Sequence, residues 1–310
     1  MCVTLGAVCP KGPAHHSLAH IEATHWQPDR DILPGVFWLD GSKMATNVAV
    51  SVPPATTRRV QRSRFFFGAA LILLLTVFVG FAPTLFLRAF FDVPPIPMYL
   101  YFHGAMVSGW FIWLATQTWL ISAGRTSTHR RIGWIGAAFG VLVVVAALTA
   151  TIGLIPHLYR DGIELDQPLP FAAIALNGSP FATWLEFTSW VVWTNVVNIL
   201  TFAACVMAAI LLRRHIEAHK RLMLVASISI IGPPLARISR WPILGGREDA
   251  RILFGALVIL ILGVAVFDLV RKKRLHPATA IAGVLSVVST LAGSIFASGE
   301  LAQSLVRALR

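Results

Sequence analysis

The chain has 310 residues, 56% of them hydrophobic and only 13% charged, with a mean hydropathy of +0.72 and a formal net charge of +12. Soluble domains carry about 25% charged residues, so a water-soluble enzyme with an ordinary charged surface is excluded. Nucleic acid is excluded as the partner of the positive charge. The Arg and Lys residues sit in short clusters beside apolar runs, and no aromatic-basic binding module accompanies them.

Residues 1–43 are polar, with Pro and Gly and no sustained apolar period. They contain His15, His16, His20 and His25, whose spacing matches no closed metal site and reads as incidental composition. Met44 is the expected natural start, and residues 1–62 are expected to form a disordered or over-called tail. Residues 63–300 then form the membrane domain, and 301–310 a short C-terminal tail. Cys2, Cys9 and Cys205 offer no CxxC pair and no disulfide framework, and Cys205 reads as a small packing residue inside an apolar run.

Seven apolar runs follow, at about 65–87, 97–121, 132–155, 184–212, 221–240, 251–270 and 277–298. Each is near the ~20 residues needed to cross ~30 Å of hydrocarbon. The fold class is therefore all-α, a polytopic transmembrane bundle of about seven spans. Gly232-Pro233-Pro234 interrupts the fifth run and predicts a broken helix. The seventh is rich in Gly, Ser and Ala, which favours close packing on neighbours. The loops at 122–131, 213–220 and 271–276 are basic, whereas those at 88–96 and 156–183 hold Asp92, Asp161, Glu164 and Asp166. The excess of basic residues on cytoplasmic loops then places the N-terminus inside and the C-terminus outside.

Two stretches nearly repeat each other: "THRRIG" at 128–133 and "AHKRLM" at 218–223. The threading puts His129 and His219 at one depth on the cytoplasmic side, each ahead of a helix running outward. Two readings stand, interfacial anchoring beside the basic residues and ligation of a metal or haem.

Ionisable groups deeper in the membrane cost about 2.5–3.5 kcal/mol on insertion scales and usually mark function. His103, Glu186 and Arg237 all reach the outer third, Arg237 by rising about 24 Å along its helix at 1.5 Å per residue. They are expected to cluster, with Glu186 paired to Arg237 and His103 close by, as a ligand or proton site. The alternative is an ion pair satisfied between helices. Gln117 is a deeper candidate for the same site. Its neighbours Thr116 and Thr118, with Thr149, Thr151, Asn195 and Asn198, are read as interhelical hydrogen-bonding groups. On the inner face, Arg125, Arg131, Asp268 and His276 form a polar set. Asp268 is expected to pair with Arg271 or Lys272, and His276, ahead of Pro277, to open the seventh helix.

No GxxxxGK[ST], HExxH or GxSxG is present, and all five lysines lie in tails or loops, which excludes a retinal Schiff base. The chain therefore leans away from enzyme, and no catalytic residue is assigned.

The span from about 97 to 280 resembles a group of uncharacterised bacterial multi-helix membrane proteins. The likeness is carried by "HGAMVSGWFIWLATQTWLISAGRTSTHRRIG", "HKRLMLVASISIIGPPLARI" and "DLVRKKRLHP". It rests on His103, Trp110, Gln117, Arg125, His129, Arg131, Gly133, His219, Arg221, Met223, Arg237, Asp268 and His276. That resemblance implies a multi-pass protein of a bacterial inner membrane, with the lipid bilayer as its partner, and gives no mechanism. A looser likeness to b-type transmembrane cytochromes implies haem b, with His129 and His219 as its ligands. His103 has no second histidine at its depth within a helix, so one inner haem is the most that fits. Three functional readings result: a multi-pass protein with an outer polar site, a haem b-binding or quinone-linked electron-transfer protein, and a small-solute or proton transporter. A homo-oligomer or a redox partner is compatible with each.

Overall fold

The computed structural model describes residues 55–309 apart from Pro94. The histidine-rich stretch, Cys2, Cys9 and the start at Met44 lie outside the described residues. Within them the chain is almost wholly helical, as its apolar blocks dictate. Six long helices are α1 (Ala55–Phe81), α2 (Met98–Ser122), α3 (Thr126–Arg160), α4 (Trp184–Leu211), α7 (Ala250–Lys272) and α8 (Pro277–Ala297). The fifth apolar run is α5 (Ile216–Ser229) and α6 (Gly232–Ser239), bent by 44° across a break at Ile230–Ile231. The proline pair predicts that break, since neither Pro233 nor Pro234 can donate a backbone hydrogen bond.

Five helices are long and apolar enough to cross a membrane, and a sixth span results when the bent pair counts as one. The molecule thus carries the elements of a multi-pass membrane protein. Helix α2 has the length, at 25 residues, but His103, Gln117, three tryptophans and two tyrosines make it less apolar than the others. Helix α3 is 35 residues, about 52 Å at 1.5 Å per residue, and outruns the ~30 Å hydrocarbon layer.

Consecutive helices run antiparallel, so their connections alternate between two ends. The basic end holds the short turns at 123–125, 212–215 and 273–276. The opposite end holds the longer connections. There a two-stranded parallel ladder pairs β1 (Ala173–Ile174) with β2 (Glu248–Asp249) in the register Ala173↔Glu248. Two expected boundaries move. Helix α1 begins at Ala55 instead of 63, and the supposed C-terminal tail is a helix, α9 (Glu300–Ala308). Trp193 Nε1 donates to Ala302 O at 3.1 Å and Arg307 bonds Asp166 at 2.7 Å, holding α9 against α4 and the long loop. Leu301 and Leu305 remain exposed on α9, as on an amphipathic helix lying in an interface.

Small residues bring the helices close. An added Cβ on Gly80 would sit 2.5 Å from Pro234 O, and one on Gly136 would sit 2.4 Å from the Trp113 indole nitrogen. The core centres on Trp110, whose Nε1 donates to Ser227 Oγ at 3.0 Å and whose ring meets Phe202 edge-on. Apolar side chains such as Leu75, Ile259 and Ile281 point outward, the expected finish for a lipid-facing surface.

Several polar residues behave differently from expectation. Thr116, Thr118 and Thr149 bond carbonyls one turn back on their own helices, at 2.8 Å each, instead of bridging helices. Backbone carbonyls already within reach satisfy a threonine hydroxyl without a second helix. Asn198 does bridge: its Oδ1 accepts from Thr290 Oγ1 at 2.8 Å, joining α4 to α8. Cys205 is buried and free, as expected of a packing residue.

Candidate functional site

At the basic end the structure brings His129 and His219 together from 90 positions apart in the sequence. Their ring centroids lie 6.3 Å apart at an interplanar angle of 74°. His129 is one turn into α3 and His219 one turn into α5, so both project from helix starts at a common depth. The His219 Nδ1 lies 2.8 Å from Ala209 O at the end of α4. A carbonyl only accepts, so Nδ1 carries a proton, and in the neutral ring that leaves the lone pair on Nε2. His129 Nδ1 is buried and has no partner, while the ring lies beside the Gln117 main-chain carbonyl. The Gln117 side chain is buried too, and both its Nε2 and Oε1 lack a partner. Buried polar groups are nearly always bonded, to protein or to water, and these three atoms have no protein partner among the described residues.

Below this pair lies a network that sequence reasoning assigned incorrectly. Arg221 and Asp268 are both fully buried and bond each other, with Arg221 Nε 2.9 Å from Asp268 Oδ1. Arg221, from another helix, therefore holds Asp268, where Arg271 or Lys272 was expected. Lys272 instead bonds Glu217 at 2.5 Å. Glu217 also takes Lys220 at 2.6 Å and Arg221 Nη1 at 2.8 Å. Asp268 further accepts from Thr279 Oγ1 at 2.6 Å and from His276 N at 3.3 Å. Three cations (Lys220, Arg221, Lys272) therefore meet two carboxylates, and the network ties α5, α7 and α8 together.

His276 sits where expected, as the N-cap of α8 ahead of Pro277. Its Nδ1 accepts from Ala278 N at 3.1 Å, which requires an unprotonated nitrogen. Burial, followed by the nearby Arg221 and Lys272 charges, holds its pKa below the usual 6.5. Arg125 lies over the Trp119 ring at 5.5 Å, and Arg131 is exposed on α3; neither joins the network.

The opposite end departs from expectation more sharply. Glu186 does not pair with Arg237. Its carboxylate accepts from Ala182 N at 2.7 Å while Thr183 Oγ1 accepts from Glu186 N at 3.3 Å, a capping box shifted by one residue, since the carboxylate reaches the amide before the N-cap. Arg237 lies over the Phe81 ring, 4.3 Å from its centroid, and donates from Nη1 to Pro233 O at 3.1 Å. His103 Nδ1 donates to Ala146 O at 3.2 Å. Gly104, next to it, meets Leu85, one turn beyond Phe81, so His103 and Arg237 flank the same end of α1. Two of the three expected residues are thus neighbours of one structural turn, and the third has a local role.

No known family, curated protein or solved structure matches this chain, so the residues and their geometry carry every functional assignment.

Proposed function

We propose that the chain spans a bacterial inner membrane seven times, basic end in the cytosol, and holds a haem b between His129 and His219 for one-electron transfer. The observation that carries this reading is the 6.3 Å separation of the two rings. At that separation both imidazoles could ligate one metal-centred group.

The choice of haem over a bare ion follows from ligand number. A structural metal ion takes about four protein ligands, and no group of three or more His, Cys, Asp or Glu side chains converges among the described residues. Haem asks the protein for only one or two ligands to its iron, and His129 and His219 would supply them. When bound, the group supplies reversible one-electron chemistry. The chain's own contribution is orientation. The Ala209 carbonyl fixes the tautomer and plane of the His219 ring, the role outer carbonyls play at ligating histidines. His129 would offer its Nδ1, which has no hydrogen-bond partner among the described residues.

The test is an optical spectrum of the full chain purified in detergent after expression with haem supplementation. A Soret band is expected, lost in His129→Ala and in His219→Ala but kept in His215→Ala, whose ring caps nothing. A colourless wild-type preparation overturns the reading. Reporter fusions at Gly178 and Arg274 test the threading, with the first expected outside and the second in the cytosol.

A further inference from the structure

With Glu186 committed to the start of α4, Arg237 forms no ion pair among the described residues, and Glu248 acts on it only through space. The Arg237 Nε is buried and unpartnered, and its one hydrogen bond goes to its own helix at Pro233 O. The neighbouring carboxylates are already taken. Glu248 bonds Arg240, and Asp249 bonds Arg251 at 2.7 Å and meets Arg247 at 3.6 Å. Four guanidinium groups (Arg237, Arg240, Arg247, Arg251) therefore face two carboxylates, an excess of two positive charges at this end of α6 and α7.

A desolvated guanidinium with an unbonded donor and no carboxylate in contact is costly, so an oxyanion that met its Nε would be bound favourably. The fold holds it well. Gly80 lets α6 press against α1, and the Phe81 ring supports the guanidinium face at 4.3 Å. The Nη1 bond to Pro233 fixes the plane, leaving the Nε edge to present the parallel donors that match an oxyanion bidentately. The aromatic floor and the lipid-facing surroundings favour an oxyanion with an apolar tail.

We propose that Arg237 is the anchor of an oxyanion-binding site, for an acyl or aryl carboxylate or a lipid headgroup phosphate, entered at the end opposite the basic loops. The site is independent of the histidine pair and stands if that pair binds nothing.

The test uses the full chain in dodecyl maltoside, which carries no phosphate, with thermal unfolding as the readout. Benzoate is titrated in one arm and phosphatidylglycerol in the other. A saturable rise in Tm is expected in at least one arm, absent in Arg237→Gln and shifted to about tenfold weaker affinity in Arg237→Lys, which keeps the charge but loses the paired donors. The arm that responds identifies the source of the oxyanion. Arg237→Lys also serves if the glutamine variant fails to fold. No rise in the wild type in either arm, or equal rises in wild type and both variants, overturns the proposal.

Discussion

Replacing Asp268 with Ala is the most informative stability test, because the pair it breaks has no water on either side. Arg221 and Asp268 both have no exposed surface, and Asp268 accepts from the Arg221 guanidinium, the Thr279 hydroxyl and the His276 amide. Removing one partner of a buried ion pair costs about 3–5 kcal/mol, since the remaining charge stays buried and unpaired. Glu217 keeps its bond to Arg221 Nη1 and Lys272 lies at the rim, so part of the charge remains compensated. The expected loss is therefore about 3 kcal/mol, at the low end of that range. The double variant Arg221→Met with Asp268→Leu removes both charges at similar volume and is expected to recover most of the loss. Equilibrium unfolding in mixed detergent micelles, titrated with a denaturing detergent, measures both. A loss below about 1 kcal/mol for Asp268→Ala, or a double variant less stable than the single one, refutes the view that the two charges are mutually dependent.

Four further outcomes are expected. Gly80→Ala places a Cβ 2.5 Å from the Pro234 carbonyl and lowers stability by about 1–3 kcal/mol, whereas Gly133→Ala, with nothing within 4 Å, leaves Tm unchanged or raised. His276 must be neutral to cap α8, and its folded pKa lies below the usual 6.5. Its contribution is complete above about pH 6.5 and is lost as the pH falls through the lower folded value. Tm should then fall less steeply between pH 7.5 and 5 in His276→Asn, which caps without titrating. Equal slopes contradict the assignment. Thr183→Ala removes the α4 cap and costs about 1 kcal/mol by thermal unfolding. Glu186→Gln should leave the benzoate response of Arg237 intact, and a changed response would restore the pair that the geometry denies.

The sequence makes helices, their order and their breaks legible, because each of those is a local property. Apolar blocks define the rods, Gly232-Pro233-Pro234 defines the bend, and His276-Pro277 marks a helix start. The meeting of His129 and His219 is legible as well, since the basic loops fix a common depth for both. Partners are less legible, because pairing depends on which way each helix is turned. Arg221 and Asp268 lie on different helices, and no local rule selects Arg221 over Arg271 or Lys272. One signal was available on one side of the pair: Asp268 lies inside its apolar run, where an unpaired charge is poorly tolerated. Glu186 carried its true role in plain view, for Thr183-Trp-Leu-Glu186 is the capping-box pattern. A carboxylate one turn into a helix is more easily satisfied by the backbone beside it than by an arginine some fifty residues away.

The bend in α5 and α6 has a consequence for how the two ends relate. His219 and Arg221 stand on α5, in the histidine pair and the buried ion network, while Arg237 stands on α6 at the other end. One interrupted element thus carries a key residue of every polar cluster described. An unbroken helix would hold these groups in a fixed relation. A 44° bend supported by Gly80 against Pro234 instead leaves α6 seated on α1, while α5 is seated on α4 and locked by Asp268 to α7. The two halves of the fifth rod therefore share α1 and α7 as neighbours but have different main supports, α4 and α8 for α5 and α1 for α6. Filling the oxyanion site should stabilise the α1–α6 contact first and reach the histidine pair only through the residues at the break. The spacing of the two imidazoles accordingly depends on the α4 carbonyl and the buried ion pair, with no contribution needed from Arg237.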